Sequence, residues 1–120
     1  MLAVSATIPP QQVLVCKVAG ELVVLPIGDV AEIIRPRVIT RVPHGPPSLL
    51  GVTNFRGGVL PVISLARLLG RAPSPVQGAA RIVVLDKRAL IGVLVDEISD
   101  LGTRSHERHL DLDGLLTLAR

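Results

Sequence analysis

Tryptophan and tyrosine are absent from this chain, and phenylalanine and methionine occur once each. A core must therefore be built from Val, Leu, Ile and Ala, and the stacking platforms on which single-stranded nucleic acids lay their bases are lacking. Cysteine is also single. Cys16, within Val13-Leu14-Val15-Cys16-Lys17-Val18, has no internal partner, so no disulfide framework is available and the thiol reads as a small apolar core residue. No apolar run reaches the ~18 residues of a membrane-spanning helix, because Pro or Gly interrupts each one. A soluble chain without membrane insertion is expected. Residues 1–12 lack a basic start and a cleavable apolar segment; they read as a flexible N-terminal tail with no secretory signal, and a cytoplasmic location follows as the expectation.

What is present is aliphatic and mildly basic. The 120 residues are 48% hydrophobic with a mean hydropathy of +0.54, enough for one domain over 13–120 that buries roughly two-thirds of its unfolded surface. A net charge of +3 and a pI near 10.0 invite a basic small-barrel nucleic-acid-binding reading. The distribution argues against it: Lys17, Arg35, Arg56, Arg71, Lys87 and their like are scattered among Asp and Glu, with no dense basic run. No nucleic-acid partner is expected.

Turn signals about every ten residues divide the chain into short strands. Val13–Val18 and Leu22–Ile27, joined through Ala19-Gly20-Glu21, read as a hairpin, and Val30–Ile34 as a third strand. Prolines between Arg35 and Pro47 make a long, stiff connection. Leu49–Phe55 and Val59–Ile63 form a second hairpin, with Gly57-Gly58 supplying the positive φ of its turn and Arg56 at its tip. Ser64 is a candidate N-cap for a short helix over 64–69 that Gly70 stops. Arg81–Leu85 and Ala89–Val95 form a third hairpin around Asp86-Lys87-Arg88, Val95–Leu101 reads as one extended edge, and Asp111–Ala119 holds a last strand. The pattern implies an all-β sandwich or small barrel.

Two stretches, Leu22-Val23-Val24-Leu25 and Leu90-Ile91-Gly92-Val93-Leu94-Val95, are apolar at both parities. A small barrel has one dry side and one wet side, so such strands need cover on both faces from a second barrel, a helix or a partner protein.

Chemistry finds little support. His106 and His109 lie three apart, which suits a shared helical face, but no further ligand follows at a characteristic spacing, and His44 sits in a proline-rich loop. The serines occupy no nucleophile elbow. Asp96, Glu97 and Asp100 read as a charged sheet edge, which discourages edge-to-edge pairing. No enzyme activity, cofactor or metal is expected.

Val30-Ala31-Glu32-Ile33, Ile39-Thr40-Arg41-Val42-Pro43, Gly51-Val52-Thr53-Asn54-Phe55-Arg56-Gly57, Pro61-Val62-Ile63 and Val95-Asp96-Glu97-Ile98, in that order, resemble the CheW-like family of chemotaxis coupling proteins across roughly Leu14 to Leu101. The resemblance implies two packed SH3-like β-barrels with a short helix. It further implies a non-catalytic adaptor that bridges a chemoreceptor signalling tip and the regulatory domain of a CheA-like histidine kinase. By matching position it marks Val30, Glu32, Gly51, Arg56, Gly92, Ile98 and Leu101 as partner-binding candidates. For Arg56 a partner contact and an internal ion pair with Glu32 or Asp96 stand as alternatives. Gly51 and Gly92 also read as sites of close backbone packing, and Val30 and Ile98 as core. Two departures stand out: Ser64 replaces the family's usual Asp, and the stretch after Thr103 is short, leaving one barrel incomplete. An open strand edge there predicts self-association.

Overall fold

The structure, a computed structural model, describes residues 12–72, 76–103 and 108–109. Nine strands and one short helix appear among them: β1 (Gln12–Val18), β2 (Glu21–Pro26), β3 (Val30–Ile34), β4 (Leu49–Phe55), β5 (Gly58–Ser64), α1 (Leu65–Leu68), β6 (Arg81–Lys87), β7 (Ala89–Val95), β8 (Glu97–Thr103) and β9 (Arg108–His109). They form a four-stranded sheet in the order β8-β1-β2-β9 and a five-stranded sheet in the order β3-β6-β7-β5-β4. The all-β architecture with two packed units matches the expectation. Residues 1–11 of the expected tail, and the last strand expected over 111–119, lie outside the described residues, whereas Gln12 already pairs with Thr103.

Strands apolar at both parities bury both faces. From β6, Val83 and Leu85 join a cluster that also takes Leu14, Cys16 and Val18 of β1, Val23 and Leu25 of β2, and Val93 and Val95 of β7. This cluster is the seam between the sheets. The alternate residues Ile82 and Val84 pack with Ile34, Phe55, Leu60 and Val62 inside the five-stranded sheet. Val13, Val15 and Val24, of opposite parity in β1 and β2, make a smaller third cluster. Cover on both faces, expected from strands apolar at both parities, is thus supplied within the chain: the seam covers one face, and the separate clusters of opposite parity bury the other.

Two crossings tie the sheets. A single 3-10 turn, Ile27–Asp29, carries the chain from β2 into β3. Asp96 returns it from β7 to β8: its backbone N–H donates to the Lys17 carbonyl at 3.0 Å, and its carboxylate accepts the Ala19 N–H at 2.9 Å. The expected continuous edge Val95–Leu101 is therefore broken at Asp96, because Val95 ends in one sheet and Glu97 begins in the other. Among the described residues β8 is an edge strand, pairing with β1.

Local turn chemistry departs from expectation in two places. The β4–β5 turn uses Arg56 (φ 51°) and Gly57 (φ 77°) as its central residues, while Gly58 already pairs with Phe55. A two-residue turn of this hand needs positive φ at both central positions, so the arginine itself accepts the left-handed conformation. In the β6–β7 hairpin the pairing continues to Lys87 and Ala89, leaving Arg88 alone (φ 72°) to reverse the chain where three residues were expected.

The helix follows its signals. Ser64 Oγ accepts the Arg67 N–H at 3.3 Å, so the hydroxyl caps where the family usually has a carboxylate. At the other end the Arg71 N–H reaches the Ala66 carbonyl and the Gly70 N–H the Arg67 carbonyl, a Schellman arrangement with Gly70 at φ 75°. Leu65 is fully buried in the seam, worth about 2 kcal/mol of apolar burial, which anchors so short a helix.

Candidate protein-docking site

β3 and β4 are the two outer strands of the five-stranded order, and the sheet curls so that the β4–β5 tip meets β3, with Ile34 and Phe55 sharing one core cluster. Arg56 projects from the tip and forms an ion pair with Glu32, its guanidinium lying 5.1 Å from the centre of the Phe55 ring. Of the two internal partners open to Arg56 from the sequence, Glu32 is the one used; Asp96 is engaged by Ala19. The pair is solvated, with the Arg56 side chain 72% exposed and that of Glu32 36%. Its contribution to stability is therefore small. Its effect is to hold a guanidinium with free N–H groups over a ring in a defined direction. Val59, directly across from Asn54, stands 72% exposed beside this tip.

A second group of candidates borders the seam, and two β-bulges create it. Cys16 pairs with Ile98 and Val15 with Asp100, so Ser99 is an extra residue. Without it, Ile98 and Leu101, three apart, would point to opposite faces. With it, they stand opposite Cys16 and Leu14 and share the seam face. Ile98 packs partly against the seam cluster, and Leu101 is 59% exposed. The same device acts in β3, where Val30 pairs with Leu85 and Glu32 with Val84, leaving Ala31 extra. Val30 and Ile33 then share the seam face while Glu32 turns toward the other. Val30 packs partly against the seam cluster, and Ile33 is half-exposed. Ile33 was not a sequence candidate: strict alternation puts it opposite Val30, and an apolar spacing of three in a strand was the only available sign of a bulge.

Gly51 and Gly92 are buried. A Cβ on Gly51 (φ 150°) would lie 2.2 Å from the Thr40 carbonyl oxygen, because Thr40 and Val52 exchange backbone hydrogen bonds of 2.8 Å across this point. A Cβ on Gly92 would meet Ile82 Cγ2 at 2.8 Å and Leu60 Cδ2 at 3.1 Å inside the five-stranded sheet. The structure thus gathers Glu32 with Arg56 at the tip and Val30, Ile98 and Leu101 along the seam, and sets the two glycines within the barrel wall.

Chemical groups elsewhere are quiet. Burial pushes the Cys16 thiol up to about 12, so it stays protonated and packs as an apolar residue. His44 is exposed in its loop; His109 lies in a strand, not on a helical face, and His106 is outside the described residues. Among the described residues no three His, Cys, Asp or Glu side chains cluster as metal ligands, and no helix is long and apolar enough to cross a membrane. Several basic side chains are matched by acids: Arg71 with Glu21 at 3.1 Å and Lys87 with Asp29 at 3.5 Å, besides Arg56 with Glu32.

Residues 12–108 match the CheW-like domain family. The chain is similar to the probable chemotaxis protein CheW of Rhizobium etli, at 40% identity over 97 residues, covering 72% of this chain and 63% of that protein. It is also similar to protein FrzA of Myxococcus xanthus, at 32% identity over 101 residues, covering 82% of this chain and 63% of that one. Among solved structures, the scaffolding protein TtCheW from Thermoanaerobacter tengcongensis superposes with a TM-score of 0.75 at 28% identity, covering 82% of this chain and 65% of that one. The chain therefore spans a little under two-thirds of the length of these relatives.

Proposed function

This chain belongs to the CheW-like domain family, and from that membership we propose that it is a non-catalytic scaffold coupling a chemoreceptor signalling tip to the regulatory domain of a CheA-type histidine kinase. The signal passes by positioning the two partners. The observation that carries the reading is the exposed Arg56, fixed by Glu32 and Phe55 at the end of a rigid hairpin. A guanidinium already ordered in the free protein loses less entropy on binding and can fork onto a partner's carboxylate or carbonyls. Val30, Ile98 and Leu101, with Ile33, supply apolar contact along the seam, and Gly51 and Gly92 act by keeping the barrel wall thin enough to hold these surfaces in register. Function resides in the cytoplasm, where receptor tips and such kinases meet. The outer edge of β8 is the strand that a second copy would extend; sedimentation of the chain alone at rising concentration reads this, a constant monomer mass removing it.

No observation favours the nucleic-acid alternative: the basic residues are scattered among acids along the chain, and Arg56, Arg71 and Lys87 are each paired with one. Arg56→Ala is expected to weaken binding to the kinase fragment or the receptor-tip fragment roughly ten- to thirtyfold, as loss of a central arginine does at interfaces. Its unfolding free energy should change by no more than about 1 kcal/mol, because the ion pair is solvated. Titration calorimetry and urea unfolding read the two quantities. Unchanged affinity for both fragments, or an unfolded variant, removes the contact role.

A further inference from the structure

On the five-stranded sheet, the proline-rich segment between β3 and β4 folds over to form one wall of a cleft of about 860 Å³, within the range of peptide and small-ligand sites. Its apolar surface comes from Ile39, Leu49, Leu50 and Leu94. Arg41, Arg67 and His44 also line it, and among the described residues no Asp or Glu does. Among the described residues Arg41 has no ion pair or hydrogen bond, and Arg67 gives one N–H to the Pro47 carbonyl at 3.0 Å with the rest of its guanidinium exposed. Arg56, Arg71 and Lys87 each have an acidic partner, whereas these two arginines stand together beside an aliphatic floor without one, an uncompensated cationic site.

The wall is built in place. The Leu49 N–H donates to the Pro46 carbonyl at 3.0 Å, and the Ser64 N–H to the Ser48 carbonyl at 2.8 Å. Gly45 lies so close over Leu49 that a Cβ would sit 2.9 Å from Leu49 Cδ2. Proline in this segment restricts the backbone further. A cleft ordered before its occupant arrives binds with little entropic loss.

The geometry points to a docking site for an extended, acidic-aliphatic segment of a partner protein, lying in the cleft with alternate aliphatic side chains on the Ile39–Leu50–Leu94 floor and carboxylates toward Arg41 and Arg67. An extended strand presents its side chains alternately to two sides, which suits a floor of one character and a rim of the other. The occupant is assigned by charge: carboxylates meet unmatched guanidiniums, and the aliphatic floor has no aromatic group on which a nucleobase would stack. This surface does not include Glu32 or Arg56, so it adds to the coupling reading without resting on it.

The test is a titration of the ¹⁵N-labelled full chain with a capped hexapeptide alternating leucine and glutamate, followed by amide shifts. Saturable shifts are expected at Val42, Leu49 and Leu50. Affinity should fall roughly tenfold when the peptide's glutamates become glutamines, and as much in Arg41→Glu, whose own spectrum reports its folding. Arg41→Lys should recover part of the loss. The proposal is overturned by the absence of saturable shifts at those amides, by equal affinity for the glutamine peptide, or by decanoate or a single-stranded oligonucleotide producing the same shifts more tightly. Should Arg41→Glu fail to fold, the glutamate-to-glutamine comparison on the unaltered chain decides alone.

Discussion

Gly51→Ala is expected to lower the unfolding free energy by about 4 kcal/mol, the sum of a strained φ and an overpacked contact. The added methyl would lie 2.2 Å from the Thr40 carbonyl oxygen and 2.7 Å from its carbon. Backbone is the obstacle, and that backbone is held by the paired hydrogen bonds between Thr40 and Val52. The β3–β4 segment must be pushed off β4 or the domain must open. Gly92→Ala provides the contrast, at about 1–2 kcal/mol, since its obstacles are the tips of Ile82 and Leu60, which can rotate. Urea unfolding of both variants measures the difference; equal costs would show that the Thr40–Val52 bridge is not holding the segment against β4.

Leu85→Asp should leave the chain largely unfolded. Leu85 is fully buried in the seam, so the substitution removes a large aliphatic side chain, about 3 kcal/mol, and asks the interior to hold a carboxylate for which the surrounding cluster offers only hydrocarbon. The sum is comparable to the whole stability of an ordinary domain, about 5–15 kcal/mol. The same change at Val38, 87% exposed, should cost about 0.5 kcal/mol or less. Circular dichroism at 25 °C separates the cases, and a folded Leu85→Asp protein would mean that the two sheets do not depend on the seam.

The seam was legible before any coordinates. Leu22–Leu25 and Leu90–Val95 are apolar at both parities, and in water that demands cover on both sides; the structure supplies it by sending Val23, Leu25, Val93 and Val95 into the seam and Val24 and Leu94 to the other side. The short helix was equally legible, because Ser64 and Gly70 act through their nearest neighbours. Distance along the chain hid the rest. Arg56 had two internal carboxylates open to it, and only the curling that brings the outer strands β3 and β4 together selects Glu32 over Asp96. Gly51 carried two meanings until Thr40 was seen against it. The bulges at Ala31 and Ser99 have no strong local signature, so the shared face of Ile98 and Leu101, and the place of Ile33 beside Val30, emerge only from the registers with β6 and β1. The proline-rich connection read as a stiff spacer; that it also walls a cleft depends on its bridge to β4, a long-range contact.

Scaffolding by position requires that two partners occupy the chain at once. The most direct measurement is sedimentation velocity on a mixture of the chain, a CheA-type regulatory-domain fragment and a receptor-tip fragment. A scaffold of this kind gives a species whose mass requires all three components and which disappears when the chain is omitted. A chain that binds neither fragment, or one for which the two fragments compete, would contradict it.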